Sequence, residues 1–251
     1  MKRFLPLSLC FALALSAAAS AEDLSPFLRE RPAAAFRTSS PWGLSAFAVF
    51  DRLARELEKP GAETLKADSY LLGLGFRPAG WVGLYAFAGA STAKFDHVDG
   101  ADPSLGFAGG AGADLSIWQI DDGDLSPWRV FIRLSGRWLH RESDDDELRT
   151  TAKLDEFRAA LPVAYALSFS ERARMRYQEV FRGLEVAAGP AASWLDGSIK
   201  RKGGGKEDIA PKDEVGLFLS AALLFGNAWR IGAEGLFLGD VSGAAYVRCD
   251  F

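Results

Sequence analysis

The sequence predicts an all-β fold: a closed antiparallel transmembrane β-barrel of ten strands, with eight or twelve as the neighbouring solutions. Three observations predict it: a strand whose two faces want different solvents, a chain-long series of alternating segments, and an apolar amino-terminal run that ends in small residues. In Trp128 to Arg141, WRVFIRLSGRWLHR, one row is Trp128, Val130, Ile132, Leu134, Gly136 and Trp138. The other row is Arg129, Phe131, Arg133, Ser135, Arg137, Leu139 and Arg141. The period of two marks a strand. The apolar row carries Trp at each end, as expected of a segment crossing a bilayer with aromatics at both interfaces. An Arg on the lipid side at mid-bilayer costs about 2–4 kcal/mol, so three near the middle of one strand set the arginine row on the inside.

The amino terminus sets the compartment. Lys2 and Arg3 precede LPLSLCFALALSAAAS, a run too short to span a membrane, and Ala19-Ser20-Ala21 stands before Glu22. Residues 1–21 therefore have the pattern of a cleaved secretory signal peptide. Leu9 before Cys10 does not suit a lipoprotein site, so cleavage is expected after Ala21. The mature chain would carry a formal net charge of −6 rather than −4 and a single cysteine, Cys249, which excludes a disulfide within one chain. No later run of about 20 apolar residues offers a helical span, although 49% of the chain is hydrophobic.

Residues 22–41 contain three prolines and no sustained period, and read as a periplasmic amino-terminal arm. The barrel domain is expected over 42–251, with strands near 42–52, 64–76, 80–92, 104–118, 127–141, 153–168, 180–195, 213–226, 228–238 and 242–251. Phe47, Phe50, Leu53 and Leu57 of the first segment also fit a helical stripe. Strand is preferred there, because a single-chain bacterial barrel wants an even strand number and nine other segments need a partner. In 153–168 the apolar row is Phe157, Ala159, Leu161, Val163, Tyr165 and Leu167; in 180–195 it is Leu184, Val186, Ala188, Ala192 and Trp194. Val215, Leu217, Leu219, Ala221, Leu223 and Phe225 continue the pattern. Arg77-Pro78-Ala79-Gly80, IDDGDLSPW and Gly226-Asn227 are turn sequences. They alternate with longer polar stretches, RELEKPGAET, TAKFDHVDGADPS, RESDDDELRTT and DGSIKRKGGGKEDIAPKD. Short periplasmic turns and long outer loops place both termini in the periplasm.

Asp114, Arg129, Arg133, Arg137, Glu156, Arg158, Glu185, Arg230, Glu234, Arg248 and Asp250 all fall on expected lumen rows. A barrel of about 8 strands is only just wide enough for its own side chains, so these charges are expected to fill the lumen in pairs; a charged eyelet of a narrow solute pore is the rival. Arg129, Arg133 and Arg137 stand about 13–14 Å apart along one strand and cannot neutralise one another. Their acidic partners must come from neighbouring strands, with Glu156, Glu185 and Asp114 the expected ones.

The last ten residues, SGAAYVRCDF, alternate Ala245, Val247, Cys249 and Phe251 with Ala244, Tyr246, Arg248 and Asp250 and stop on the aromatic. This resembles the carboxy-terminal signature of bacterial outer-membrane proteins. With the signal peptide and the strand series, residues 42–251 look like a small outer-membrane barrel of the opacity-protein and OmpA-transmembrane-domain type. The resemblance implies a Gram-negative-type envelope, a porin-like wall, and recognition of Val247, Cys249 and Phe251 by the barrel-assembly machinery, with periplasmic chaperones on the way. It fixes no activity.

An enzymatic reading would start from His97 in FDHVDGAD, with Asp96 and Asp99, or from His140 with Glu142 and Asp144. Outer-membrane proteases and lipid A deacylases are similar in placing a His at the barrel's outer rim, but their wider motifs are not found, so no catalytic residue is assigned and a hydrolase ranks third. DHVDGAD lacks the ligand spacing and terminal Glu of an EF-hand, and no metal or cofactor is expected. FAGGAGAD lies inside a strand and fits close packing rather than a dinucleotide site. Gly203 to Gly205 and Lys206 are followed by Glu207, so they form no P-loop. Lys200, Arg201, Lys202 and Lys206 form a basic run suited to lipopolysaccharide phosphates. The expected protein is a monomer with no nucleic-acid partner, whose role is structural or adhesin-like through its outer loops.

Overall fold

The computed structural model describes residues 43–57, 64–79, 81–95, 104–121, 128–145, 150–168, 181–201, 206–209, 214–225 and 228–251. The expected signal peptide, the expected arm and the segment holding His97 lie outside them. The chain order is β1 Leu44–Glu56, β2 Thr64–Ala79, β3 Val82–Phe95, β4 Gly106–Asp121, β5 Trp128–Asp145, β6 Thr150–Ala160, β7 Val163–Ser168, β8 Phe181–Arg201, β9 Lys206–Ile209, β10 Val215–Phe225, β11 Trp229–Leu238 and β12 Asp240–Asp250. All pairings are antiparallel, and β1 pairs with β12 from Ser45↔Asp250 to Arg52↔Gly243, which closes the sheet into a barrel.

The barrel wall has ten strands, because β6 and β7 are two halves of one. Both pair with β5 on one side and β8 on the other. The break falls at Leu161-Pro162, where proline can give no ladder N–H. The Pro162 carbonyl still accepts from the Arg133 amide at 3.1 Å, and Leu161 donates to Pro190 at 3.0 Å, so the wall stays hydrogen-bonded across it. The short β9 pairs only with the end of β8. The first segment is strand rather than helix, paired with β2 over its whole length.

Polarity is inverted relative to a soluble protein. The exposed large hydrophobics sit on the outward rows: Leu72 and Leu74 are 72% and 71% exposed, with Phe107, Ile231, Val241 and Phe251 around the wall. The buried polar residues, including Asp51, Arg55, Arg141, Glu156 and Glu185, point inward. On β5 the outward row starts at Trp128 and reaches Trp138, ten steps or about 34 Å along the strand. At the tilt of a membrane barrel this subtends about 25 Å, the height of an outer-membrane apolar band. Trp118, Trp229 and Phe251 mark the same lower level as Trp128, and Trp194, tilted against Phe157 with centroids 5.6 Å apart, the upper one.

The strands overrun their expected ends at the upper rim. β1 continues to Glu56, β5 to Asp145 and β8 to Arg201, and β6 starts at Thr150, so much of RESDDDELRTT and of DGSIKRKGGGKEDIAPKD is ladder rather than loop. β9 folds back on that extension of β8. The physical reason lies inside: Leu53, Leu57, Leu65, Leu154, Leu195 and Ile209, all on inward rows, meet in one cluster above the membrane band. Two connections also depart from the expected asymmetry. β11 and β12 join at the upper rim through Gly239 alone, whose φ of 80° suits glycine. The connection from Ser168 to Phe181 makes a long one at the short-turn end.

Candidate functional site

The lumen contains the chemistry, and it is layered. At the upper end the seven-residue apolar cap of Leu53, Leu57, Leu65, Ala67, Leu154, Leu195 and Ile209 closes the bore, with Leu53, Leu65 and Leu154 at 0% exposure. Each side chain comes from the alternation of its strand, and together they bring β1–β2 against β6, β8 and β9.

Below the cap lies a charge layer centred on two acids. Asp51 on β1 accepts from Arg137 Nη2 at 2.6 Å, from Arg158 Nη1 at 3.1 Å and from Arg141 Nη2. Glu156 on β6 accepts from Arg141 at 2.9 Å, from Arg158 Nε at 2.6 Å and from the Ser193 hydroxyl at 2.9 Å, with Arg55 Nη2 at 3.7 Å. Arg141 Nε also donates to the Ser69 hydroxyl at 3.0 Å. Asp51, Arg55, Arg141 and Glu156 are all 1% exposed or less. Arg137 and Arg158 stand directly opposite in the β5–β6 ladder, a like-charge pairing that is unfavourable alone. Asp51 reaches across from β1 to bridge them, and so couples the far side of the barrel to this pair.

The lower half has a second layer. Glu185 accepts from Arg133 Nη2 at 3.0 Å and faces Arg230 Nη2 at 3.2 Å. Glu234 takes Arg137 Nη1 at 3.4 Å, and Arg248 Nε donates to Asp250 at 2.7 Å. Arg133 lies over the Phe131 ring, 5.0 Å from its centroid. Between the two layers is a cavity of about 190 Å³, lined by Phe47, Tyr85 and Phe87 from β1 and β3, by Phe218 from β10, and by Arg133, Glu185, Arg230 and Tyr246. Gly112 of the FAGGAGAD run lets the Tyr85 ring lie across it, since a Cβ there would collide with the ring.

The structure thus puts Arg129, Arg133, Arg137, Glu156, Arg158, Glu185, Arg230, Glu234, Arg248 and Asp250 on the lumen side, with Asp114 on the cavity wall. The pairing differs in part from expectation. Arg133 takes Glu185, but Glu156 serves Arg141, Arg158 and Arg55, because the register sets it opposite Leu139, one step from Arg141. Sequence reading missed Asp51 and Arg55. Their signal was the alternation Asp51, Leu53, Arg55 and Leu57, masked by its equal fit to a helical stripe. Arg141 was on the inward row of the opening strand, yet its place near the expected end of that strand hid its centrality.

Val247 and Phe251 face outward, with Cys249 on the same row, half-buried. The Phe251 amide donates to the Leu44 carbonyl at 2.8 Å across the seam. Of the basic run, Lys200 is exposed at the upper end of β8, Arg201 and Lys206 belong to β8 and β9, and Lys202 lies outside the described residues. His140 is on the outer wall, not in the lumen. Its Nδ1 is 3.0 Å from Asp155, which also accepts from the Trp138 indole at 3.2 Å, while Glu142 pairs with Lys153. The grouping of His140 with Glu142 and Asp144 therefore gives way to one with Asp155 on the next strand.

No family model and no curated protein sequence matches the chain. Among solved structures it is similar to the translocator domain of the autotransporter NalP from Neisseria meningitidis, at 13% identity and a TM-score of 0.38, covering 96% of this chain and 98% of that one. Salmonella typhi OmpF in complex with daunomycin is matched at 7% identity and a TM-score of 0.18 over 83% and 97%. A triple mutant of the Rhodopseudomonas blastica porin is matched at 8% and 0.17 over 83% and 99%. At such values the likeness carries no argument about activity, so what this barrel does has to come from its own geometry.

Proposed function

We propose that this chain is an integral outer-membrane protein with a sealed barrel and a structural or surface-interaction, adhesin-like role exercised at its upper rim. The observation that carries the reading is the lumen: a layer of buried ion pairs lies under a dry apolar cap, within a wall whose outer rows are apolar. The overrunning strands support a surface role, since they raise the loop-bearing end above the membrane band on a packed core of its own. Lys200, Arg201, Lys202 and Lys206 are suited to lipopolysaccharide phosphates at that rim, and Phe251 to the barrel-assembly machinery.

A non-enzymatic role agrees with the surroundings of His140. On the outer wall its ladder partners are Asp155 and Gly109, its row neighbours Trp138 and Glu142, and its diagonal neighbours Lys153, Phe157, Phe107 and Ala111. None carries a hydroxyl or thiol for it to activate.

The test is fractionation and surface exposure. The protein should sediment with outer membranes, resist alkaline carbonate, and migrate anomalously on a denaturing gel unless boiled, as a closed barrel without free edges does. Cells carrying a version lacking residues 202–205 should lose adhesion to surfaces or to lipopolysaccharide while keeping the heat-modifiable barrel. Recovery as a soluble periplasmic monomer overturns the membrane reading, and adhesion unaffected by loss of any outer loop overturns the surface role.

A further inference from the structure

We propose that the cavity below the charge layer is a binding site for a single-ring aromatic carboxylate. Its volume is about 190 Å³. An apolar cavity of about 150 Å³ takes one benzene ring, so this one has room for a ring and one small substituent and not for a sugar chain or a lipid tail. The wall made by β1 and β3 is aromatic: Phe47, Tyr85 and Phe87, with Phe47 edge-on to Tyr85 and Tyr85 stacked on Phe87, both at 6.1 Å. Such a wall receives a ring face or edge.

Charge also reaches the cavity: five arginines and three carboxylates line it, and of the arginines Arg137 and Arg158 are already engaged by Asp51 and Glu156. Arg133 is joined to Glu185 through Nη2 and is 26% exposed; Arg248 is joined to Asp250 through Nε and is 21% exposed. A guanidinium has five N–H donors in a planar fork, so each keeps donors for a carboxylate. The binding does not depend on the sealed outer end proposed above.

The test is calorimetric titration of the purified, refolded barrel with benzoate. A ligand of this size has a Kd between about 1 µM and 1 mM, and benzyl alcohol, its neutral counterpart, should bind at least about tenfold more weakly. Arg248→Gln should weaken benzoate by about tenfold, the loss of one charge-assisted hydrogen bond, and leave benzyl alcohol unchanged. Ser220→Trp, which fills the cavity, should abolish both, and Ala187→Leu does the same job should the Trp variant not fold. Lys153→Gln on the outer wall should change nothing. A folded native protein that shows no saturable benzoate binding, or binds the alcohol equally well, overturns the assignment, as does benzoate binding that survives both the filling and the Arg248 variants. Conductance is read separately, so a conducting protein would cost the sealed-barrel reading without touching the binding result.

Discussion

Asp51 is the residue on which the most depends. It is fully buried, and three guanidiniums from two strands converge on its two oxygens. Removing one partner of a buried pair costs about 3–5 kcal/mol, because the charge left behind has lost both water and counter-ion. Asp51→Asn should therefore lower unfolding stability in lipid vesicles by roughly that amount, measured by tryptophan fluorescence in urea, whereas Arg52→Gln, whose 3.8 Å pair with Asp68 is exposed, should cost less than about 1 kcal/mol. Equal losses would mean the lumen network is as hydrated as the rim. Cys249 gives a second test. It shares the outward row of β12 with Val247 and Phe251, so a lipid-soluble thiol reagent should label it in intact outer membranes and a membrane-impermeant one should not. The opposite selectivity would reverse the facing of that strand.

At the scale of elements, the seam between β1 and β12 is where closure is decided. The ladder ends at Arg52↔Gly243, although β12 runs on to Asp240 in its pairing with β11. Beyond that point the Ser242 hydroxyl accepts from the Ala54 amide at 3.1 Å and donates to the Ala54 carbonyl at 3.0 Å, standing in for the missing ladder bonds. Ser242→Ala should cost about 1–3 kcal/mol, the penalty for stranding a buried backbone pair, and should speed hydrogen exchange at Ala54 selectively. At the other end of the seam, Phe251 adds one ladder bond and an exposed ring. Its deletion should lower the yield of folded barrel in cells far more than it lowers stability after refolding in detergent; equal losses would mean that it only packs. The ten wall strands were legible in the sequence because a period of two survives in every one, including the first, where Asp51, Leu53 and Arg55 alternate with Arg52 and Ala54. Their upper ends were not. Polarity there was read as loop, although Arg55, Leu57 and Ile209 still turn inward within it. The rows of the lumen were legible too, but the pairing was only partly so, since which acid meets which arginine depends on inter-strand stagger, and no single strand encodes that.

For the whole molecule the question is whether the bore conducts. A path for ions needs continuous water, and two barriers of different chemistry interrupt it here. Leu53, Leu65 and Leu154 are each 0% exposed, and the layer below holds Asp51 and Glu156, buried just as deeply, against four arginines, Arg55, Arg137, Arg141 and Arg158. Opening one barrier leaves the other. The native barrel should therefore show no steady conductance in a planar bilayer, and neither the triple change Leu53→Ala, Leu65→Ala, Leu154→Ala nor Asp51→Asn alone should create a stable pore, while the two combined should produce fluctuating currents. Arg133→Ala separates the readings further. In a sealed barrel it takes from buried Glu185 one of its two arginine partners among the described residues, leaving Arg230, and the change costs about 3–5 kcal/mol. In an open pore the same residue would line the path, stability would hardly move, and ion selectivity would shift away from anions, because basic rings favour anion passage. A native protein that forms anion-selective channels of reproducible size would replace the sealed wall with a narrow solute pore, and the apolar cap would then have to be its gate.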